Sequence, residues 1–115
     1  MIDQVRPAGL QDWLAAQGAA AGAPALVLDV RDPWELQTAS VRPDGFELAV
    51  IPMGQIPARL GEIDTARPVA VLCHHGNRSQ RVAMYMAQQG FTRLANVAGG
   101  IDAWTAEVDP SVPRY

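Results

Sequence analysis

The sequence predicts an α/β protein whose open, mostly parallel sheet of about five strands carries helices on both faces. Two observations lead there. Apolar, β-rich runs alternate along the chain with turn residues and helix-like segments. The best of these runs are almost continuously apolar, where a strand with one wet face would alternate. Length agrees: 115 residues is near the commonest size of a domain, and residues 1–115 read as a single domain with one core.

The strands come first. Ala25-Leu-Val-Leu-Asp-Val30, Glu47-Leu-Ala-Val-Ile51 and Val69-Ala-Val-Leu-Cys73 each read as a buried strand. Leu94 to Val97 is a weaker fourth, and Ile2 to Val5 is short enough for an edge. Helices fill the gaps. From Pro7 to about Gln17, residues Leu10, Trp13 and Leu14 fall at helical spacing. Asp32-Pro-Trp-Glu35 starts another helix, with Asp32 as N-cap, Pro33 at the first position and Glu35 reaching back. Ile56 to about Ile63 predicts a short helix with Leu60 inward. Ser79 to Gln89 sets Val82, Ala83, Met86 and Ala87 on one side and stops at Gly90. Gly99-Gly100 turns the chain into a last short helix carrying Ile101 and Trp104, and the proline-rich 109–113 segment is not helical.

Composition removes several classes of function. A single cysteine excludes an internal disulfide and the multi-cysteine zinc and iron–sulfur frameworks, and it points to a reducing compartment, the cytoplasm by default. All nine basic residues are arginine, so a lysine Schiff base is not available. A net charge of −3 with dispersed arginines predicts no nucleic-acid partner. The charged N-terminal residues do not resemble a signal peptide. The longest apolar stretch, broken by Gly22 and Pro24, predicts no membrane span. No cofactor or metal is expected: Cys73, His74 and His75 are contiguous and do not readily converge on one ion.

The chemistry concentrates after the third strand. In open α/β sheets ligands bind beyond the carboxyl ends of strands. Cys73 closes the most uniformly apolar strand, and His74, His75, Gly76, Asn77 and Arg78 lead into a helix opening near Ser79. A loop of backbone amides running into a helix N-terminus favours an anion, and such a setting raises the thiolate fraction of a cysteine. Gly76 permits a tight turn, Asn77 tolerates unusual backbone angles, and Arg78 offers a fork of donors to an oxyanion. His74 and His75 have three readings: support of the thiolate, contact with substrate, or a solvated loop. A strand-end cysteine alone is most often packing. Taken with the loop, the arginine and the helix start, Cys73 reads as a nucleophile.

Cys73-His-His-Gly-Asn-Arg-Ser79 resembles the active-site loop of the rhodanese-like sulfurtransferases. Leu28-Asp-Val-Arg-Asp-Pro-Trp-Glu35 is similar to that family's first signature, Ile51-Pro-Met-Gly54 to its middle segment, and Asn96-Val-Ala-Gly-Gly-Ile-Asp-Ala-Trp104 to its last. The order of the four carries the resemblance across nearly the whole chain. It implies a five-stranded parallel sheet and a persulfide on Cys73. Sulfur would come from a small-molecule donor such as thiosulfate and pass to cyanide or a thiol, possibly on a protein. Loop amides from His74 to Ser79 would stabilise the persulfide, and Arg78 would hold the donor's anionic end. Asp29, Arg31 and Glu35 are expected to form a buried polar network, and Trp34 and Trp104 to pack. One departure is the stretch from Ala39 to Gly45, which lacks the Gly-His pair many members carry before the middle strand. Two rival functions follow. A persulfide carrier or interaction module would show incidental thiosulfate activity. A cysteine-dependent phosphatase or arsenate reductase would need a loop one residue longer between cysteine and arginine.

Overall fold

The structure is a computed structural model and describes residues 2–115. Five parallel strands form one sheet in the order β1-β5-β4-β2-β3, with β1 at Ile2–Val5, β2 at Leu26–Asp29, β3 at Glu47–Val50, β4 at Val69–Leu72 and β5 at Leu94–Val97. Leu26 to Asp29 pair with Val69 to Leu72 in β4, and Val69 to Val71 pair with Leu94 to Asn96 in β5. The three central strands β2, β4 and β5 are wholly buried, as continuous apolar runs require. β3 differs from expectation. It is an edge strand with Glu47 and Val50 exposed, because only β2 pairs with it.

Among the described residues five α-helices flank the sheet: α1 (Leu10–Ala21), α2 (Pro33–Thr38), α3 (Ile56–Arg59), α4 (Asn77–Gln88) and α5 (Gly100–Glu107). Side chains alternate across the strands and build two cores. Leu26, Leu28, Val69 and Val71 face Ile56, Val82, Ala83 and Met86 of α3 and α4. Val27, Ala70, Leu72 and Ala95 face Leu10 and Leu14 of α1 and Ile101 and Trp104 of α5. Burying each large aliphatic side chain contributes roughly 1.5–3 kcal/mol, so the two faces together hold the sheet.

Three details depart from the sequence reading. α1 runs four residues past Gln17, and Gly22 ends it in the left-handed region at φ 63°. α4 begins two residues before Ser79, at Asn77, with Gly76 as N-cap at φ 103°. Ala87 is exposed, so the buried face of α4 consists of Ser79, Val82, Ala83 and Met86.

Connections leave β2 toward β3 and leave β4 toward β5, in opposite directions along the sheet. The crevice at such a switch point is where ligands bind in this architecture. Val30 to Asp32 follow β2 there and Cys73 follows β4, bridged by the Val30 N–H donating to the Leu72 carbonyl at 3.0 Å.

Candidate active site around Cys73

Cys73 lies one residue beyond β4 and is only 1% exposed, within the core face that α4 covers. Its Sγ accepts the Gly76 N–H at 3.1 Å and lies 3.2 Å from Ser79 Oγ. The turn between them depends on Gly76, whose positive φ and contact with the Gly99 backbone leave little room for a side chain. Ser79 is fully buried on the first turn of α4, and its hydroxyl reaches Asn96 Oδ1 of β5.

The start of α5 holds the loop from below. Ile101 N–H donates to the Cys73 carbonyl at 2.9 Å and Asp102 N–H to the His74 carbonyl at 3.1 Å. These are the orphan amides of a helix N-terminus, used here to fix the residues that carry the sulfur. Gly100 makes the approach possible. A Cβ built there would lie 2.4 Å from both the Cys73 and the His74 carbonyl oxygens, and its φ is +59°.

On the other side of the loop the groups are charged and already paired. Arg78 donates twice to Glu35, at 2.7 Å to each oxygen. Glu35 also accepts the Asp32 N–H at 2.9 Å, as its capping position predicts, and the Tyr115 hydroxyl at 2.8 Å. Four donors, Arg78 first among them, hold the Glu35 carboxyl down to about 2 and so ionised at neutral pH. Arg31 is completely buried. It donates to both Asp29 oxygens, to the Ala39 carbonyl at 2.9 Å and to Tyr115 Oη at 3.0 Å. The expected network of Asp29, Arg31 and Glu35 therefore exists, and Arg78 and Tyr115 extend it.

His74 stacks between His75 and Tyr115, with ring centroids 3.9 and 3.8 Å away. Burial, followed by the neighbouring His75, pushes its pKa down, and its Nε2 has no protein partner. His75 and Asn77 are exposed on the rim. Trp34 is 61% exposed and meets Tyr115 edge-on at 6.0 Å, contrary to the packing expected of it. α2 is too short to turn that ring inward once Glu35 faces the core. Trp104 is buried as expected, against Phe46. Among the described residues no cluster of metal-ligating side chains exists.

Comparison with known proteins gives this geometry a family. The model of the rhodanese-like domain matches residues 10–107. The chain belongs to the rhodanese-like domain family. A sulfurtransferase of Allochromatium vinosum is 39% identical over 87 residues, which cover 76% of this chain and 78% of that protein. The chloroplastic rhodanese-like/PpiC domain-containing protein 12 of Arabidopsis thaliana is 38% identical over 95 residues, 79% of this chain but 30% of that protein. Several curated relatives are thus far longer than this chain, which spans only a third of their length or less. Among solved structures, the polysulfide-sulfur transferase homodimer of Wolinella succinogenes is similar, at TM-score 0.69 and 26% identity, covering 92% of this chain and 74% of that one.

Within this rhodanese-like domain, Cys73, Gly76 and Ser79 converge on the sulfur, while His74, His75, Asn77 and Arg78 line the loop's outer side. Three contributors were not singled out from sequence: Asn96 and Gln4 behind Ser79, and Tyr115 over His74. Asn96 lies in the last signature, which marks its position without its role. Gln4 and Tyr115 carry no local signal, because their partners are 92 and 80 residues away.

Proposed function

We propose that this domain is a sulfurtransferase that carries sulfane sulfur as a persulfide on Cys73. The observation that carries the reading is the position of Sγ: at the end of a buried strand, facing the Gly76 N–H and the Ser79 hydroxyl at the start of a twelve-residue helix. Neutral dipoles so arranged stabilise a sulfur anion without a counter-ion.

The cycle balances without a redox partner. The Cys73 thiolate attacks the outer sulfur of a donor such as thiosulfate, the donor's S–S bond breaks, and sulfite leaves with the electron pair. An acceptor thiolate, or cyanide, then attacks the outer sulfur of the persulfide and regenerates the Cys73 thiolate. The loop from His74 to Ser79 would bind the donor. Arg78 would meet its anionic end as half of an ion pair with Glu35, so the site presents less net positive charge than a free arginine. A reducing, cytoplasm-like compartment suits a lone thiol. One relative is chloroplastic, and among the described residues no helix is long and apolar enough to cross a membrane.

Recurrence of this domain inside longer relatives favours a second reading, in which the acceptor is a thiol on a protein partner and the domain acts as a carrier. Phosphatase chemistry is disfavoured by the four residues between Cys73 and Arg78, a ring suited to sulfur.

Mass spectrometry after treatment with thiosulfate or polysulfide tests the reading. The expected result is a gain of one sulfur atom on Cys73, reversed by cyanide or a thiol. Cys73→Ser takes up none and loses activity by about 10³-fold or more. Absence of an adduct with every donor would overturn the mechanism.

A further inference from the structure

We propose that Glu35, acting through Arg78, makes this site prefer an alkyl persulfide to a dianionic sulfur donor such as thiosulfate. A guanidinium carries five N–H donors in a fixed fork. Arg78 commits one from each terminal nitrogen to Glu35, at 2.7 Å to each oxygen. Its other N–H groups stay open at the rim, where the Arg78 side chain is 33% exposed. An oxyanion there gains hydrogen bonds, but it meets an ion pair whose net charge is zero.

The pair does not open easily. The Glu35 side chain is 3% exposed, and among the described residues Arg78 is its one cationic partner. Drawing Arg78 toward a donor leaves a buried carboxylate held only by the Asp32 N–H and the Tyr115 hydroxyl, which is strongly unfavourable. The neighbouring arginines do not take its place. Arg31 is matched with Asp29 at 2.8 Å, and Arg114 with Asp102 at 2.9 Å. Arg81 is exposed, but it stands one turn further along α4 from the loop.

A charge count then decides between donors. When the Cys73 thiolate attacks thiosulfate, a dianion, three negative charges meet among neutral dipoles and a closed ion pair. When it attacks the outer sulfur of a protonated alkyl persulfide, only one is present. In that step the bond from Sγ to the outer sulfur forms and the S–S bond of the alkyl persulfide breaks. The alkyl thiolate leaves with the electron pair and takes the proton from the transferred sulfur, so a thiol is released and no redox partner is needed. The Gly76 amide and the Ser79 hydroxyl then face a single negative charge.

This deepens the sulfurtransferase reading and rests on it, and the test separates the two. Loading of Cys73 is timed by mass spectrometry with thiosulfate and with the persulfide of β-mercaptoethanol, which has no charged group besides its sulfur. Glu35→Gln keeps the shape and leaves the charge of Arg78 uncompensated. It is expected to raise the thiosulfate rate about tenfold relative to the persulfide rate, the effect of one such charge at a partly exposed site. A change in shape alone would slow both donors alike. Arg81→Gln alters charge outside the pair and should leave the ratio within about twofold.

A second arm needs no sulfur transfer. Alkylation of Cys73, the one cysteine of the chain, by iodoacetate relative to neutral iodoacetamide should rise by a similar factor in Glu35→Gln. In the parent, neither the thiosulfate nor the iodoacetate rate should fall as salt is raised, because no net positive charge faces the anion. That measurement serves if the glutamine variant does not fold. Unchanged ratios in Glu35→Gln, equal changes in Arg81→Gln, or parent rates that fall with salt would overturn the role of Glu35. Failure of every donor to load Cys73 would instead overturn the sulfurtransferase reading and leave the alkylation result standing.

Discussion

The two sides of the Cys73 loop handle charge in different ways. Toward β5, the sulfur faces an amide, a hydroxyl and, behind them, neutral side-chain amides. Toward β2 and α2, Glu35 and Arg78 form a full ion pair, with Arg31, Asp29 and Tyr115 beneath it. Neutral dipoles let a sulfur change charge with no fixed counter-ion to release, which is what the proposed persulfide cycle requires. Fixed ion pairs suit the opposite task. They tie α2, α4 and the segment around Tyr115 into one frame, and a buried charge whose partner is removed is strongly destabilising. The loop therefore joins a chemically adaptable side to a structurally fixed one.

The largest expected effect breaks the fixed side. Asp29→Ala leaves Arg31 buried and facing only carbonyls and the Tyr115 hydroxyl, and should lower stability by about 3–5 kcal/mol in urea unfolding. Next, Gly100→Ala attacks the support shared by both sides. Its methyl group meets the Cys73 and His74 carbonyls, so backbone must move, with an expected loss of about 2–4 kcal/mol and impaired sulfur loading.

Glu35→Gln separates the two sides by charge. It keeps the shape but weakens the pairing with Arg78, and should cost about 1–2 kcal/mol at pH 7. Its pH signature is more informative. The Glu35 carboxyl titrates near 2 in the folded protein, below its range in the unfolded chain, so the unfolded state binds the extra proton first. The stabilisation is complete above the ordinary carboxylate range and fades as pH falls through it toward about 2. Thermal melts between pH 6 and 2.5 should therefore drop less steeply for Glu35→Gln than for the parent. The smallest effect is that of Tyr115→Phe. It removes one donor to Glu35 and one acceptor from Arg31 but keeps the ring on His74, at about 1 kcal/mol, with sulfur loading unchanged. Loss of loading in that variant would show that the two sides are not separable.

Much of this was legible before any coordinates. Continuous apolar runs identified β2 and β4 as buried, and the Asp32 to Glu35 pattern placed the start of α2 correctly, down to the contact between Glu35 and the Asp32 N–H. The apolar content of β3 resembles that of β2 and predicts burial, but burial at a sheet edge depends on neighbours that the run itself does not encode. Trp34 departs from expectation for a related reason. Hydrophobicity argued for packing, but the facing of α2 was set by Glu35 turning inward to Arg78.

By itself the sequence determined the α/β class, the lone thiol at Cys73 and the glycine-containing loop that turns into α4. Each rests on local chemistry: strand patterning, the number of thiols, and backbone angles that glycine alone adopts with ease. Only the tertiary structure decided what the loop's groups face. Arg78 is engaged with Glu35, 43 residues away, and Ser79 is engaged with Asn96. Those partners reach the loop along strands β2 and β5, which parallel pairing brings beside β4. Sheet order and register, set by the burial of both faces, place one amide side chain behind one hydroxyl.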